Sequence, residues 1–176
     1  MRKAVAFLRA INVGGHVVKK EQLLQAFESI GFRDVVTYKQ AGNVIFEADG
    51  VGLEGARVMI ERGLRSSLGY DVEVFIRTVS ELRKLVEKQP RGRKGDVMSC
   101  LVTFLPGTTP NPLPQLPLVI PRSKAEVVSS TGREVFSVTY LMGEGGLPNQ
   151  FLESKLKART TTRNVNVIRE IVEKFG

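Results

Sequence analysis

Residues 35–46 of the chain, Val-Val-Thr-Tyr-Lys-Gln-Ala-Gly-Asn-Val-Ile-Phe, are the segment from which the fold is most easily predicted. Two short apolar runs, residues 35–38 and 44–46, flank a turn that contains the pair Gly42-Asn43. Such a pair is typical of tight turns with positive φ, and apolar runs on both sides of it predict a β-hairpin. We therefore expect the two runs to pair as antiparallel strands.

The sequence on either side of this hairpin has one strand and one helix. Upstream, residues 3–8 are an apolar strand, and a helical stripe of apolar residues then ends at Gly31. Downstream, a second helical stripe over residues 53–68 is followed by the alternating residues 72–76. The order β-α-β-β-α-β is that of ferredoxin-like domains, in which two helices cover one face of an antiparallel sheet. Residues 1–77 are therefore expected to form a ferredoxin-like α+β subdomain.

Residues 78–176 predict a second α+β subdomain that is less regular. Thr78 and Glu81 have the spacing of a capping box at the start of a helix. A strand at residues 97–105 leads into residues 106–121, which hold six of the chain's eight prolines and predict an extended connection. The remaining predicted elements are a hairpin about Thr131-Gly132 and two helices, near residues 150–157 and 163–175. These element types match those of the first half, so we expect a rearranged ferredoxin-like subdomain.

The composition of the 176-residue chain excludes several kinds of site. A single cysteine, Cys100, and a single histidine, His16, exclude an internal disulfide and a zinc site built from Cys and His of one chain. No stretch approaches the about 18 apolar residues of a membrane span, and the apolar run behind the basic start is too short for a signal peptide. We expect a cytoplasmic protein without membrane attachment, metal or cofactor.

The net charge of +8 is unevenly distributed. Residues 1–77 carry 11 Lys and Arg against 9 Asp and Glu, a net charge of +2, whereas residues 78–176 carry 15 against 9, a net charge of +6. A basic balance favours polyanionic partners, because neutralisation of phosphates is a general electrostatic effect. The alternative is that the charge serves solubility alone.

A first candidate cluster follows the first predicted strand. Arg9, Asn12, Gly14 and Gly15 form a strand end and a glycine turn, and Lys19 stands just before a helix. Backbone N–H groups at a glycine turn and at a helix N-terminus, with a lysine beside them, suit a phosphate or carboxylate. The spacing is not that of a P-loop, and the alternative is that both glycines only satisfy a tight turn.

A second candidate cluster is the central turn, with Tyr38, Gly42 and Asn43. A ferredoxin-like sheet with aromatic residues on its central strands would suggest an RNA-recognition motif. Alignment of residues 44–46 with the third-strand signature of that motif puts Asn43 where a stacking aromatic belongs, which disfavours this interpretation.

A third candidate cluster, Thr162, Arg163 and Asn164, precedes the stripe of the last helix. A threonine here is the ordinary N-cap, while guanidinium and hydroxyl groups at a positive helix end also suit an anion. Because the apolar stripe omits Arg163, we expect its side chain to be exposed. Arg163→Ala should then change stability by no more than about 0.5 kcal/mol, and weaken binding of an anionic ligand about 10- to 150-fold.

Together the three clusters resemble the bacterial domain-of-unknown-function family 1697. The residues that carry the resemblance fall in three ordered motifs: Leu8, Arg9, Ile11, Asn12, Val13, Gly14 and Gly15; Thr37, Tyr38, Gly42, Asn43, Val44 and Phe46; and Thr161, Thr162, Arg163 and Asn164. The resemblance implies a ferredoxin-like α/β fold in tandem subdomains and no established activity. The chain departs from the family pattern at Ala10, Ala41, Val165 and Val167, where Gly, Ser, Trp and Thr are usual. A basic stretch of the family is also missing from residues 145–149.

Three functions are compatible with these features. The leading hypothesis is a binding module for an anionic ligand, either nucleic acid or a nucleotide, which would also use the basic loop at residues 91–94. The alternative is an enzyme acting on a phosphorylated or carboxylated small molecule, with Arg9 and Arg163 holding the anion and Asn12, Tyr38 and Asn43 orienting the reacting group. A third is an interaction protein that forms a homodimer through its sheet.

Overall fold

The computed structural model describes residues 2–12, 17–39, 42–90, 99–107, 113, 115–121, 125–140 and 148–176. It forms two compact units: Met1–Leu82 with Ile171–Gly176, and Arg83–Glu170. Each unit contains one antiparallel sheet with helices, so the predicted α+β class is confirmed. No helix among the described residues is long and apolar enough to cross a membrane.

The first unit has the predicted ferredoxin-like order. Its elements are β1 (Lys3–Leu8), α1 (Lys20–Ser29), β2 (Arg33–Thr37), β3 (Asn43–Glu47), α2 (Leu53–Leu68) and β4 (Val74–Thr78). The strands lie in the order β2-β3-β1-β4, and every neighbouring pair is antiparallel. Strands β2 and β3 pair as the expected hairpin, in which Thr37 faces Val44.

One face of this sheet is buried beneath α1 and α2. Alternate residues of the strands point towards the helices, as the period of two predicts, and meet the apolar stripes of both helices there. The centre of the core is an aromatic trio, Phe27, Phe32 and Phe46, whose neighbouring ring centroids lie 4.7 to 6.2 Å apart. The hydrophobic pattern therefore specifies the register, because a slip of one residue would expose this whole set.

The edge strand β2 contains a bulge. Arg33 faces Glu47 and Val36 faces Ile45, so two residues of β2 stand opposite one residue of β3. Asp34 lies in this bulge and adopts a left-handed conformation with φ of 49°. A bulge bends its strand, and here it separates the start of β2 from the regular ladder.

The second unit repeats the strand order of the first with one replacement. Its strands are β5 (Ser99–Phe104), β6 (Leu118–Val119), β7 (Ala125–Ser130), β8 (Glu134–Thr139) and β9 (Thr161–Asn164), in the order β6-β7-β8-β5-β9. Without β6, this is the β2-β3-β1-β4 order of the first unit. The chain position of α1 is occupied by the proline-rich connection, whose described residues include β6. A proline-rich segment lacks the N–H groups a helix needs, which accounts for the replacement.

Three helices complete the chain. Helix α3 (Val79–Glu87) lies between β4 and β5, α4 (Asn149–Leu156) precedes β9, and α5 (Val165–Phe175) follows it. The predicted capping box of α3 is confirmed, because Glu81 accepts the N–H of Thr78 at 2.7 Å and donates its own N–H to the Thr78 hydroxyl at 3.1 Å.

The expected helix at residues 163–175 was wrong at its start. Thr161–Asn164 is strand β9, which pairs with β5, so that Arg163 faces Val102. Helix α5 begins only at Val165. Threonine is β-branched and favours strands, and pairing with β5 overrides the weak helical pattern of these four residues.

Ala10 has an unfavourable backbone conformation for its residue type, with φ of 53°. The left-handed region costs a non-glycine residue about 1–2 kcal/mol, against about 0.5–1 kcal/mol of extra chain entropy for glycine. We expect Ala10→Gly to raise the free energy of unfolding by about 0.5–1 kcal/mol in a urea titration.

The matched control is Gly69→Ala. Gly69 ends α2 at φ of 80°, and an added methyl group would meet no atom within 4 Å, so that only the backbone conformation is changed. This variant should lose about 1 kcal/mol. Equal stability of Ala10→Gly and the unchanged chain would contradict the left-handed conformation of Ala10.

Candidate functional site

The first two candidate clusters meet at one end of the first sheet. Strands β1 and β3 are antiparallel, with Phe7 opposite Asn43, and the N–H of Leu8 donates to the carbonyl of Gly42 at 2.9 Å. The end of β1, which Arg9 follows, therefore lies beside Gly42 and Asn43. Gly14, Gly15 and the basic loop at residues 91–94 lie outside the described residues.

Arg9 and Asn12 are held by contacts within the first unit. Nη1 of Arg9 lies 3.4 Å from the Glu73 carboxylate, and the Arg9 N–H donates to the carbonyl of Glu73 at 2.9 Å. Oδ1 of Asn12 accepts the N–H of Val18 at 2.8 Å, and the Tyr70 hydroxyl donates to the carbonyl of Ile11 at 3.1 Å. These contacts fix both ends of the loop between β1 and α1, so the two predicted ligand residues also have structural roles.

Lys19 stands at the entrance to α1 with an exposed side chain. Its backbone N–H donates to Oε1 of Gln22 at 3.0 Å, which is one half of a capping box. The Lys19 ammonium group therefore adds positive charge to the N-terminal end of a helix.

The side chain of Asn43 is buried and hydrogen-bonded across the hairpin rather than directed into solvent. Asn43 is only 5% exposed, and its Nδ2 donates to the carbonyl of Tyr38 at 3.1 Å. In the reverse direction the Tyr38 N–H donates to the Asn43 carbonyl at 2.9 Å. Lys39 adopts a positive φ, at 53°, while residues 40 and 41 of the predicted turn lie outside the described residues.

An aromatic and cationic group surrounds Tyr38, and we call its members, Tyr38, Lys39, Lys174 and Phe175, the Tyr38 cluster. The Tyr38 and Phe175 rings meet edge to face with centroids 5.8 Å apart. Nζ of Lys174 lies 5.5 Å from the centroid of each ring, and Nζ of Lys39 lies 5.9 Å from that of Tyr38. Both lysines are exposed. Lys174 and Phe175 were not among the predicted site residues, because only tertiary structure brings the end of α5 to the central turn.

The third cluster lies in the second unit and is largely enclosed. The hydroxyl of Thr162, which is 4% exposed, hydrogen-bonds to that of Thr103 at 2.7 Å and donates to the side-chain oxygen of Asn149. Oδ1 of Asn164 accepts the N–H of Asn166 at 2.9 Å and so caps α5. The expectation of a threonine cap was wrong, because the threonines belong to β9.

Arg163 is partly buried, whereas we expected an exposed side chain. Its Nη1 donates to the Thr161 hydroxyl at 2.9 Å and to the carbonyl of Thr162 at 2.8 Å. Burial lowers the pKa of the Arg163 guanidinium to about 10, because removal from water disfavours the charged form. The exposed side chain was predicted from helical spacing, which does not apply to Arg163 because this residue lies on strand β9.

The chain is similar to known proteins in both structure and sequence. The structure is similar to that of a conserved bacterial protein, SP0830 from Streptococcus pneumoniae, with a TM-score of 0.68 and 15% sequence identity, over 98% of this chain and 97% of that one. At this identity the similarity shows the fold alone. No curated protein matches the chain.

The family model described as "Protein of unknown function (DUF1697)" matches residues 1–136. The match includes the first two motifs, whereas the motif at Thr161–Asn164 lies beyond it. Most of the chain is covered, and the chain therefore belongs to this family of proteins of unknown function, DUF1697.

Proposed function

We propose that the first unit binds nucleoside phosphates, presented as a nucleotide or as single-stranded nucleic acid, at the Tyr38 cluster. The observation that carries the proposal is the position of two exposed ammonium groups at an aromatic pair, that of Lys174 at 5.5 Å from both ring centroids and that of Lys39 at 5.9 Å from the centroid of Tyr38. Aromatic rings stack with bases of any sequence, while lysines neutralise phosphates. An exposed lysine gains only about 0.5–1 kcal/mol from an aromatic ring, so either ammonium group can turn to a phosphate.

Further positive charge at the same end of the sheet supports this proposal. Lys19 is exposed at the start of α1, and Arg9 lies beside the central turn. Arg9 shares its charge with Glu73, so its contribution to an anionic ligand is smaller than that of the lysines. An end of the sheet with aromatic rings and several cations suits a ligand that combines a base with phosphate.

The mode of binding differs from that of an RNA-recognition motif. There, bases stack on aromatic residues of the central strands. Here Asn43 is buried in the turn, Phe46 lies in the core, and Val5, Phe7 and Ile45 on the other side of the sheet are at most 2% exposed. Stacking is therefore proposed on the rings at the strand end and not on the sheet face.

The test is a fluorescence anisotropy titration with single- and double-stranded DNA and RNA at low salt. We expect the single strands to bind, with an affinity that falls steeply between about 50 and about 200 mM salt as counterions are released. Tyr38→Ala should weaken binding about 5- to 150-fold, because a stacked base contributes about 1–3 kcal/mol.

The matched control is Phe151→Ala, since the Phe151 ring lies 5.9 Å from Nζ of Lys155 in the second unit and an aromatic ring is likewise lost without a change of charge. Its affinity should remain within about twofold of that of the unchanged protein. Absence of binding to all four nucleic acids and to mononucleotides at tens of micromolar protein would reject the proposal. Equal weakening by both variants would reject the Tyr38 cluster as the site.

A further inference from the structure

A cavity of about 510 Å³ adjoins the Tyr38 cluster in the first unit. The two share Phe175, whose ring contacts Tyr38 and also lines the cavity. The volume falls within the about 300–1,000 Å³ that is usual for small-molecule sites. Phe175 therefore lies between a cationic surface and a half-open cavity that is large enough for a base.

The lining of this cavity combines apolar and acidic groups. Val36 and Ile45 on β2 and β3 form an apolar wall together with Phe175. Carboxylates are supplied by Glu47, by Asp34 in the bulge and by Glu28, with one ammonium group from Lys3. Carboxylates accept hydrogen bonds and cannot donate them at neutral pH, so the cavity suits a ligand part that is flat, apolar and rich in N–H donors.

Glu47 has an unsatisfied hydrogen-bond acceptor. Its Oε1 is withdrawn from solvent, and among the described residues it accepts no hydrogen bond. Buried polar atoms without a partner are rare in folded proteins, and an ordered water, an ion or a bound ligand is the usual partner where the protein itself supplies none. Rotation about the last side-chain torsion exchanges the two oxygens easily, because that torsion is broad. A donor in the cavity can therefore reach the Glu47 carboxylate.

Resting on the proposed function, we infer that the cavity takes the base of the nucleotide and that Glu47 selects a base with an exocyclic amino group, guanine best of all. Guanine presents two adjacent N–H donors that match the two oxygens of one carboxylate once the Glu47 side chain turns both of them towards the cavity, and a carbonyl oxygen that matches the Lys3 ammonium group. Uracil and thymine have no amino group, and their carbonyl oxygens are repelled by a carboxylate. The base then stacks on the ring of Phe175, which the cavity shares with the Tyr38 cluster, and the phosphate of the same nucleotide is held by Lys174 or Lys39.

The experiment compares GMP, IMP and UMP by isothermal titration calorimetry with the full chain. IMP differs from GMP only in the missing amino group, so the pair isolates the contact under test. We expect GMP to bind at least about tenfold more tightly than IMP, because charge-assisted hydrogen bonds are the strong ones. In Glu47→Gln the difference should shrink to about twofold or less, since the amide presents one acceptor and no charge.

The control variant is Glu21→Gln, which removes the same charge from an exposed position at the start of α1. It should retain the preference for GMP, and unchanged thermal melting of both variants shows that the fold is intact. Equal binding of the three nucleotides, or a GMP preference that survives Glu47→Gln, overturns the inference and leaves the proposed function standing. Displacement of GMP by putrescine at equal concentration also overturns it, because the cavity would then select charge alone. Failure of every nucleotide and nucleic acid to bind rejects the proposed function itself.

Discussion

Arg163→Met is expected to raise the free energy of unfolding of the second unit, by up to about 2 kcal/mol. Burial moves the pKa of the guanidinium down to about 10, and that displacement from the ordinary arginine value corresponds to about 3 kcal/mol against the charged form. The contacts of the guanidinium offset part of this, and the hydrogen bonds to Thr161 and Thr162, which are among them, contribute about 0.5–1.5 kcal/mol each. Replacement of a buried charge by an apolar side chain of similar volume is often stabilising for the same reason.

The measurement is a urea titration of Arg163→Met beside the unchanged chain and Arg83→Met, which removes an arginine from an exposed position. The exposed replacement should alter stability by no more than about 0.5 kcal/mol. The lowered pKa of Arg163 also determines the direction in which the stability of the unchanged protein varies with pH. Between about pH 10 and the ordinary arginine pKa the unfolded chain holds more protons than the folded one, so the unchanged protein gains stability as pH rises there. The difference in free energy of unfolding between Arg163→Met and the unchanged protein is therefore constant below pH 9 to 10 and becomes smaller above that pH.

A loss of more than about 1 kcal/mol in Arg163→Met would show that the charge itself holds β9 in place. That result would make the Thr-Thr-Arg-Asn motif a structural element and remove it from the set of ligand residues. Stabilisation by Arg163→Met would show instead that the protein retains an unfavourable buried charge. Proteins keep destabilising groups where function requires them, so Arg163 would then remain a candidate ligand residue. The affinity loss predicted for Arg163→Ala then remains to be measured separately from its effect on stability.

The fold of the first unit could be predicted from the sequence because its local sequence patterns agree with one another. The pairing of β2 with β3, the stop of α1 near Gly31 and the left-handed Gly69 at the end of α2 all follow from short-range patterns. The β-α-β-β-α-β order then leaves few sheet topologies open. The observed strand order β2-β3-β1-β4 is the ferredoxin-like one.

The candidate site was only partly predictable, because its key contacts join distant parts of the chain. Antiparallel pairing of β1 with β3 was enough to bring the end of β1, which Arg9 follows, to Gly42 and Asn43. No local pattern brings Phe175 to Tyr38, since the apolar stripe of α5 identifies Phe175 as buried without naming its neighbour. Strand β9 was missed for the same reason: it forms by pairing with β5, which lies about 60 residues earlier in the chain. The run of three threonines was the one available signal for a strand.

Cys100 is expected to react with iodoacetamide about 100-fold more slowly in the folded protein than in the unfolded chain near pH 8. Only the thiolate is nucleophilic, and burial raises the pKa of the Cys100 thiol to about 11 despite the opposing charge of Arg169. Cys100 is 7% exposed and lies on β5, between β8 and β9, so limited access to its thiol slows the reaction further. Mass spectrometry of the alkylated chain follows this single thiol directly.

The same pKa displacement has a consequence for stability that provides an independent check. Above the ordinary thiol pKa the unfolded chain loses this proton while the folded chain keeps it up to about pH 11, so stability falls as pH rises through this window. Cys100→Ala should lack that part of the slope. Alkylation of the native protein at the rate of the unfolded chain would instead mean that β5 separates readily from its neighbours. Since Val102 and Thr103 of β5 pair with Arg163 and Thr162, the enclosed position of the third cluster would then be only one of its conformations.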